Sequence, residues 1–580
     1  MTYRPVTREQ VFALEVSAGI DELAQCDYFS AASPDMVKAI VEGAGQFAQG
    51  EFAPLNRIGD VEGARLLDGK VCLPDGYFDA YRAFVAQGWN SIFGPVEFGG
   101  QDLPFSLAVA ALESLGTANL AMAMIPNLTL GAMEALHMHG NDAQKALYLP
   151  KLISGKWSGT MNLTEPHAGS DVGALRTTAT PIAEGPDAGK YLIKGTKIFI
   201  SWGDHELAEN IIHLVLARLP GAPAGSRGIS LFVVPRYRPT PDGRPGSLND
   251  VKAVSLEHKL GLRASPTCVM SYGDNDACVG ELVGAENEGL KCMFTMMNSA
   301  RITVAAQGVM IAEAAQQKAA AYARERIQSA RAGSADKNPV PIVQHPDVRR
   351  MLLRMRALTE GARALLYHTC GQVDRAALNE ENARLRADLL VPLAKSWCTD
   401  ISCEVAGLGV QVHGGMGFIE ETGAAQYWRD ARILPIYEGT NGIQAADLVN
   451  RKLVVDGGAA LAALMADIER DAHDSPELAG LARDCAQVAK WMLDRPDIDD
   501  RLAGSVAFCT MCAVAVAGWQ LLRQAEVAGK SGGVLSRTKP AIARYFIEHI
   551  VPEARGLMQS SQAGAELLYA LSDEELTDEN

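Results

Sequence analysis

The chain has 580 residues, 48% of them hydrophobic and 21% charged, with a formal net charge of −16. That balance belongs to a soluble globular protein, and the length suggests about three to four domains. The excess of acid excludes general nucleic-acid binding through a basic field, though not a local basic pocket for an anionic group. The eleven cysteines are scattered without paired spacing, which argues against a disulfide framework. Cys509 and Cys512 form an isolated CxxC in an apolar run, with no second Cys or His pair to make a metal site, so buried packing is expected and no metal.

Met1-Thr2-Tyr3-Arg4-Pro5 is not followed by a signal-peptide apolar core, and a cytoplasmic protein is expected. Residues 1–158 read as helical. An apolar 3–4 pattern begins at Pro34, and the segments 106–124 and 141–152 carry further helical patterns. The Gly94–Gly100 segment punctuates them as a loop. From 159 to 284 the character becomes β. Tyr191-Leu192-Ile193-Lys194, the run 211–216 and the run 229–234 are short, β-rich and separated by Gly and Pro, as in a small barrel or sandwich. An exposed loop is expected at 239–246.

Helix returns at about 285. Segments 301–326, 346–373 and 383–407 are rich in helix formers and predict a bundle of four long helices. An extra helical region follows from 456, and the acidic tail after Asp573 is expected to fray. Residues 502–522 carry no charge and are long enough to span a bilayer, but Gly504, Ser505, Thr510, Gly518 and Gln520 favour a buried bundle helix.

Four segments carry candidate chemistry. Ile436-Tyr437-Glu438-Gly439-Thr440-Asn441 puts one carboxylate in a Tyr/Gly turn before a helical pattern. Partial desolvation there would raise its pKa toward that of a base; a structural Glu at a helix start fits the position equally well. In Met161-Asn162-Leu163-Thr164-Glu165-Pro166-His167-Ala168-Gly169-Ser170-Asp171, the Thr164 and Ser170 hydroxyls and the open backbone at Gly169 suit a flavin pyrimidine or a pyrophosphate. A Pro/Gly turn is the plainer alternative. Lys194-Gly195-Thr196-Lys197-Ile198-Phe199-Ile200-Ser201 is a strand. Gln411-Val412-His413-Gly414-Gly415-Met416-Gly417 lacks the third glycine of a Rossmann fingerprint and sits in no βαβ unit.

In their order along the chain these segments resemble the acyl-CoA dehydrogenase flavoenzymes, over about residues 80–450. The resemblance implies an N-terminal helical domain (1–158), a middle β-barrel (159–284), a C-terminal helical bundle with the catalytic Glu (285–455) and an extra helical domain (456–580). It implies FAD as cofactor, with the flavin contacted by Leu163, Thr164, Gly169, Ser170, Phe199 and Ser201. Phe199 and Ser201 stand where the family usually has Trp and Thr. Arg326, Gln328, Gln411, Gly414 and Gly415 would reach the FAD of a neighbouring subunit in a homodimer, and Thr440 would contact FAD. The usual Arg-x-Thr-Phe-Gly has become Arg326-Ile327-Gln328-Ser329-Ala330, and Gly442 replaces a Gln of some relatives. His413 is expected to be structural or to line the cofactor edge.

The implied reaction is α,β-dehydrogenation of an acyl-CoA thioester. Glu438 takes the α-proton, its backbone N–H helps hold the thioester oxygen, and Arg301 lies nearby. Some relatives place the base just before that Arg, where this chain has Ala300. In length, C-terminal extension and the 197–205 segment the chain is most similar to the 3-methylmercaptopropionyl-CoA dehydrogenases of that family. This resemblance implies 3-methylthiopropanoyl-CoA as substrate and methylthioacryloyl-CoA as product, with a broad fatty acyl-CoA range as the alternative. The implied electron acceptor is an electron-transfer flavoprotein. DNA-binding relatives of this fold use a basic C-terminal region. Here the part after Arg451 has about eight more acidic than basic side chains, which opposes that reading.

Overall fold

A computed structural model describes residues 3–578 as two compact units. One unit comprises Glu42–Leu103 and Ser114–Thr303 and is built on a β-barrel. The other comprises residues up to Val41, Pro104–Glu113 and the chain from Val304 onward, and is a helical bundle.

In the barrel unit, β1 (Arg65–Leu67) and β2 (Lys70–Cys72) form a hairpin. It is followed by β3 (Trp157–Asn162), β4 (Thr178–Pro181), β5 (Tyr191–Ser201), β6 (Asn210–Arg218), β7 (Ile229–Pro235), β8 (Tyr237–Pro239), β9 (Pro245–Leu248), β10 (Val251–Leu256), β11 (Thr267–Tyr272) and β12 (Val279–Val283). The main sheet runs β10-β11-β5-β12-β7-β6-β3, and β4 pairs with both β5 and β6, which closes a ring through β5, β12, β7, β6 and β4. Ile193, Val215, Phe232, Met270 and Tyr272 fill it. The expected loop at 239–246 is the tip of the β8–β9 hairpin.

Three expectations need correction. Residues 1–158 are not wholly helical: Asp68 and Gly69 both have positive φ (50° and 75°), the pairing that closes a tight hairpin, and Val71 and Leu66 pack onto the barrel core. The 106–124 segment is two helices, Phe105–Ala118 and Leu120–His139. Asn119 breaks them, extended at φ −159°, with its side chain accepting from Met122 N to cap the second. That second helix runs on through Pro126, because Met122–Asn127 are all buried and packing outweighs the lost backbone hydrogen bond. Lastly, the acidic tail forms a turn of helix, Asp573–Thr577, with Ser572 and Glu575 in a reciprocal capping box.

In the bundle unit the long rods are Gly289–Glu325 from Val304 onward, Pro346–Ala377, Glu381–His413 and Ile498–Ser531. Gly308 lies so close to the Glu381–His413 helix that a Cβ would sit 2.3 Å from the Cys398 carbonyl. Arg363, buried, donates to Glu113 and Glu313 at 2.8 Å each, and the Tyr367 hydroxyl donates to Glu113 at 2.6 Å. Lys539 of the C-terminal region bridges Glu360 (2.9 Å) and Glu9 (2.6 Å). Such buried ions are costly unless every one is paired, so they fix register more than they add stability. The most apolar stretch of Ile498–Ser531 is 72% buried within the protein and packs against the Pro346–Ala377 and Glu381–His413 helices. Cys509 and Cys512 are buried within it as free thiols, and all eleven cysteines are free.

Candidate active site

Glu438 lies in a turn that leads into the short helix Asn441–Asp447, where the sequence pattern puts it. It is half-buried, and its φ of 55° places a non-glycine residue in the left-handed region; Gly439 follows at 84°. That conformation costs on the order of 1–2 kcal/mol and persists where neighbours over-determine it. Several do. Tyr437 OH donates to Gln307. Gln444 Nε2 donates to the Glu438 carbonyl at 3.3 Å, and Asn441 N donates to the Pro435 carbonyl at 3.0 Å. Lys395 Nζ donates to the Gly439 carbonyl at 2.7 Å and to Asn441 Oδ1 at 2.9 Å. Thr440 Oγ1 accepts from Ile443 N and so caps the Asn441–Asp447 helix, which leaves its hydroxyl proton for a further acceptor.

The same unit carries Arg326 and Gln328 just beyond the Gly289–Glu325 helix. Both are exposed, and Gln328 is held through its backbone to Val340 and His345. Gln411, Gly414 and Gly415 are exposed at the end of the Glu381–His413 helix. A Cβ on Gly414 or Gly415 would meet nothing within 4 Å, whereas one on Gly417 would sit 2.2 Å from the Val410 carbonyl. His413 donates from Nδ1 to Gly409 O at 2.7 Å and stacks on Tyr322 at 4.4 Å. Burial lowers its pKa against that hydrogen bond. These are the contacts of a structural histidine.

The barrel unit carries Leu163, Thr164, Gly169, Ser170, Phe199, Ser201 and Arg301. Loop 163–171 is anchored by a carboxylate–ammonium pair that is almost wholly buried. Lys197 Nζ donates to Glu165 Oε1 at 2.8 Å and to the Leu163 carbonyl at 2.9 Å. Glu165 also accepts from Arg176 N (2.7 Å), Thr177 N (3.0 Å) and Thr177 Oγ1 (2.6 Å). Burial works to raise the Glu165 carboxyl, but Lys197 and these donors outweigh it and hold it below the ordinary value. Burial pushes Lys197 down to about 8. Ile198 N donates to the Thr164 carbonyl at 2.9 Å, so the loop lies alongside β5.

A bulge against β11 distorts β5, and Phe199 takes φ 60°, which turns its ring outward to 59% exposure. Ser201 and Thr164 are half-buried, Gly169 and Ser170 exposed, and a Cβ on Gly169 would meet open space. The outward Phe199 ring, the hydroxyls of Thr164, Ser170 and Ser201 and the open backbone at Gly169 are groups that could hold a flat, polar-edged ligand. Arg301 is buried within Gly289–Glu325. Sequence patterns missed Lys395, Asn441, Glu165 and Lys197. A signal existed for the first: one lysine in the otherwise uncharged stretch 389–399.

Comparison with known proteins covers most of the chain. Family profiles match residues 35–156 (acyl-CoA dehydrogenase, N-terminal domain), 160–274 (middle domain), 287–453 (C-terminal domain) and 461–572 (acetyl-CoA dehydrogenase C-terminal like). The 3-methylmercaptopropionyl-CoA dehydrogenase of Ruegeria pomeroyi is 48% identical over 95% of this chain and 97% of its own. A broad-specificity linear acyl-CoA dehydrogenase of Mycobacterium tuberculosis is 33% identical over 95% and 96%. Among solved structures, Caenorhabditis elegans ACDH-11 in complex with C11-CoA superposes with a TM-score of 0.79 at 19% identity, covering 100% of this chain and 97% of its own. An acyl-CoA dehydrogenase from Bacillus anthracis complexed with FAD gives 0.73 at 21% identity, covering 93% and 90%.

Proposed function

The chain belongs to the acyl-CoA dehydrogenase family, and on that premise we propose that it oxidises 3-methylthiopropanoyl-CoA to methylthioacryloyl-CoA with Glu438 as the base. The observation that carries the substrate is the 48% identity to the Ruegeria pomeroyi enzyme, which extends through the C-terminal extension to 97% of that protein. Family members are FAD enzymes, and the open backbone at Gly169, Gly414 and Gly415 with the outward Phe199 ring fits that group. Bound FAD supplies the acceptor for the hydride that leaves the β-carbon.

The chain's own part is proton removal and positioning. The Glu438 carboxylate takes the α-proton and becomes the neutral acid, while the β-hydrogen departs with its electron pair, so a C=C bond forms between the two carbons. The half-buried turn screens Glu438 from part of the solvent, as proton transfer in a water-poor site requires. Thr164, Ser170, Ser201 and the backbone of loop 163–171 hold the flavin. Arg326, Gln328, Gln411, Gly414 and Gly415 reach the FAD of a second copy, which makes the enzyme a homodimer, and we read it as cytoplasmic. Sedimentation as a fully FAD-loaded monomer would rule that assembly out. An electron-transfer flavoprotein takes the electrons. The exposure of the 414–416 backbone supports the reading of a second copy's FAD. The four-part division at 158, 284 and 455 is our reading of the domain boundaries, and the segments matched by the family profiles support it.

The test is turnover of a panel of acyl-CoAs with a flavin-linked dye. Highest kcat/KM is expected for 3-methylthiopropanoyl-CoA and its near isostere pentanoyl-CoA, and a preference for palmitoyl-CoA would overturn the substrate. The full-length match to the Mycobacterium tuberculosis enzyme supports a second reading, a broad linear range, which the same panel would show as a flat profile.

A further inference from the structure

A fully buried lysine stands behind the proposed base. Lys395 lies in the Glu381–His413 helix and is 0% exposed. It donates to the Gly439 carbonyl and to Asn441 Oδ1, both in turn 437–441. The Asn441 amide then donates back to the helix, to the Ser396 carbonyl (3.0 Å), Thr399 Oγ1 (3.0 Å) and Asp400 Oδ1 (2.7 Å). An ammonium removed from water is costly, and an apolar side chain would pack in the same helix without that cost. Retaining a lysine here is accounted for by what it holds: two oxygens, one and three residues past Glu438.

We propose that Lys395 is a positioning residue for the base. Through the Gly439 carbonyl and Asn441 it fixes turn 437–441 with Glu438 in the left-handed conformation, and so fixes the direction in which the carboxylate projects. The inference rests on Glu438 being the base. The Gln444 contact to the Glu438 carbonyl is longer, at 3.3 Å, and the Tyr437 hydroxyl bond to Gln307 acts on the residue before. Without the ammonium, Glu438 can relax toward ordinary backbone angles, which moves the carboxylate. A displacement of about 1 Å at a reacting group costs about 10²-fold in rate.

Proton removal can be read apart from the rest of the reaction with (methylthio)acetyl-CoA, CH3–S–CH2–CO–SCoA. Its β-atom is sulfur and carries no hydrogen, so Glu438 can take an α-hydrogen, exchange it with solvent and return it, and nothing further follows. FAD-loaded enzyme is incubated with this thioester in D2O and α-deuteration followed by NMR. For Lys395→Met, FAD content and the dissociation constant of the thioester should change little, while exchange falls about 10²-fold. Lys395→Arg, which keeps the charge and donors, should recover much of it.

Exchange at the wild-type rate in FAD-loaded Lys395→Met overturns the proposal, as does loss of FAD and exchange in equal proportion, which marks a merely structural residue. Should Lys395→Met fail to fold, Asn441→Ala decides: it keeps the ammonium and removes one handle on the turn, so exchange should fall while FAD stays bound, and unchanged exchange overturns the idea. Glu438→Gln separates the two readings. If it exchanges normally, Glu438 is not the base; if it is inert while Lys395→Met exchanges normally, only the positioning role fails.

Discussion

Two loops in different units are each held by one buried lysine, and the two lysines are balanced differently. Lys197 in the barrel unit donates to the Leu163 carbonyl and directly to the Glu165 carboxylate, which collects three further donors. Lys395 in the bundle unit donates to the Gly439 carbonyl and the neutral Asn441 amide oxygen, and Asp400 is linked through that amide. Direct neutralisation lets the first pair act as a rivet, in which charge is matched on the spot and the loop backbone is fixed. In the second arrangement the cation donates to two oxygens of the turn, and its charge also acts on Asp400, whose carboxyl burial raises and Lys395 works to lower. The first pair fixes its loop by an ion pair made within the loop's own contacts, and the second ties a turn to a neighbouring helix. A loop can thus be judged by how the ion holding it is balanced, as well as by which residues it presents.

The largest expected effects divide along the same line. Glu438→Gln should fold, retain FAD and lose flavin reduction by substrate by about 10²–10⁴-fold, the usual worth of a general base. Single-turnover reduction near the wild-type rate would remove Glu438 from the chemistry. Lys197→Met should do the opposite and act on the fold and on FAD retention. Breaking a buried ion pair by removing one partner costs about 3–5 kcal/mol, because the other charge stays buried. For a unit of this size that is a fall of roughly 10 °C in Tm. Restoring balance with Glu165→Leu in the same chain should recover much of the Tm without recovering FAD content. If the double variant is no more stable than Lys197→Met, the pair is not the rivet described here.

Much of this molecule could be read from its sequence, for identifiable reasons. The Glu438 turn, loop 163–171 and the Gln411–Gly417 segment are contiguous motifs, so their existence and placement were legible, as were the long helices and the main strands. What escaped were long-range choices. Asn119 ends one helix and caps the next, although the hydrophobic pattern runs straight through it. The β1–β2 hairpin hid within a helical region, although Asp68-Gly69 is a hairpin signal. Lys395 and Lys197 find their partners across 44 and 32 residues of sequence. No spacing rule connects those positions, and only an ion out of place among apolar neighbours marked Lys395. The motifs of the two loops were local and legible; the ions that hold them were not.

Acid should weaken the barrel unit, though not first through Glu165. That carboxyl has its folded pKa held below the ordinary value, so its stabilisation is complete above the unfolded value of about 4.5 and is lost as pH falls through the lower folded value. The earlier event comes from His205 and His213 in the barrel, which burial lowers to about 3 from 6.5; the buried His368 of the bundle unit is lowered to about 3 in the same way. Between those values the unfolded chain binds a proton at each imidazole and the folded barrel does not, so stability falls as pH drops from about 6.5 toward 3. Tyr272 OH donates to Asn162 Oδ1 at 2.7 Å and meets His213 Nδ1 at 3.3 Å, so the His213 proton lies on Nδ1. Asparagine could supply an equivalent donor. His213→Asn should therefore flatten the decline of Tm between pH 6.5 and 4, and an unchanged slope would show that His213 is not among the groups that titrate on unfolding.

The smallest effect compares two glycines in one motif. Gly417 is glycine because a Cβ would sit 2.2 Å from the Val410 carbonyl, so the backbone must shift to admit one. Gly415 has open space where a Cβ would go and no positive φ, so the fold does not require glycine there. Gly417→Ala should cost about 1–3 kcal/mol, the usual range for overpacking, and lose FAD as a consequence of that strain. Gly415→Ala should leave Tm within about 0.5 kcal/mol of the parent, as surface substitutions do, yet lower FAD content if, as proposed, the cofactor of a second copy approaches there. Titrating FAD into the two deflavinated variants while following Tm tests this. Full FAD affinity in Gly415→Ala would mean that the exposed backbone at 415 faces no cofactor, and that a third loop beside the two lysine-held ones plays no part in binding.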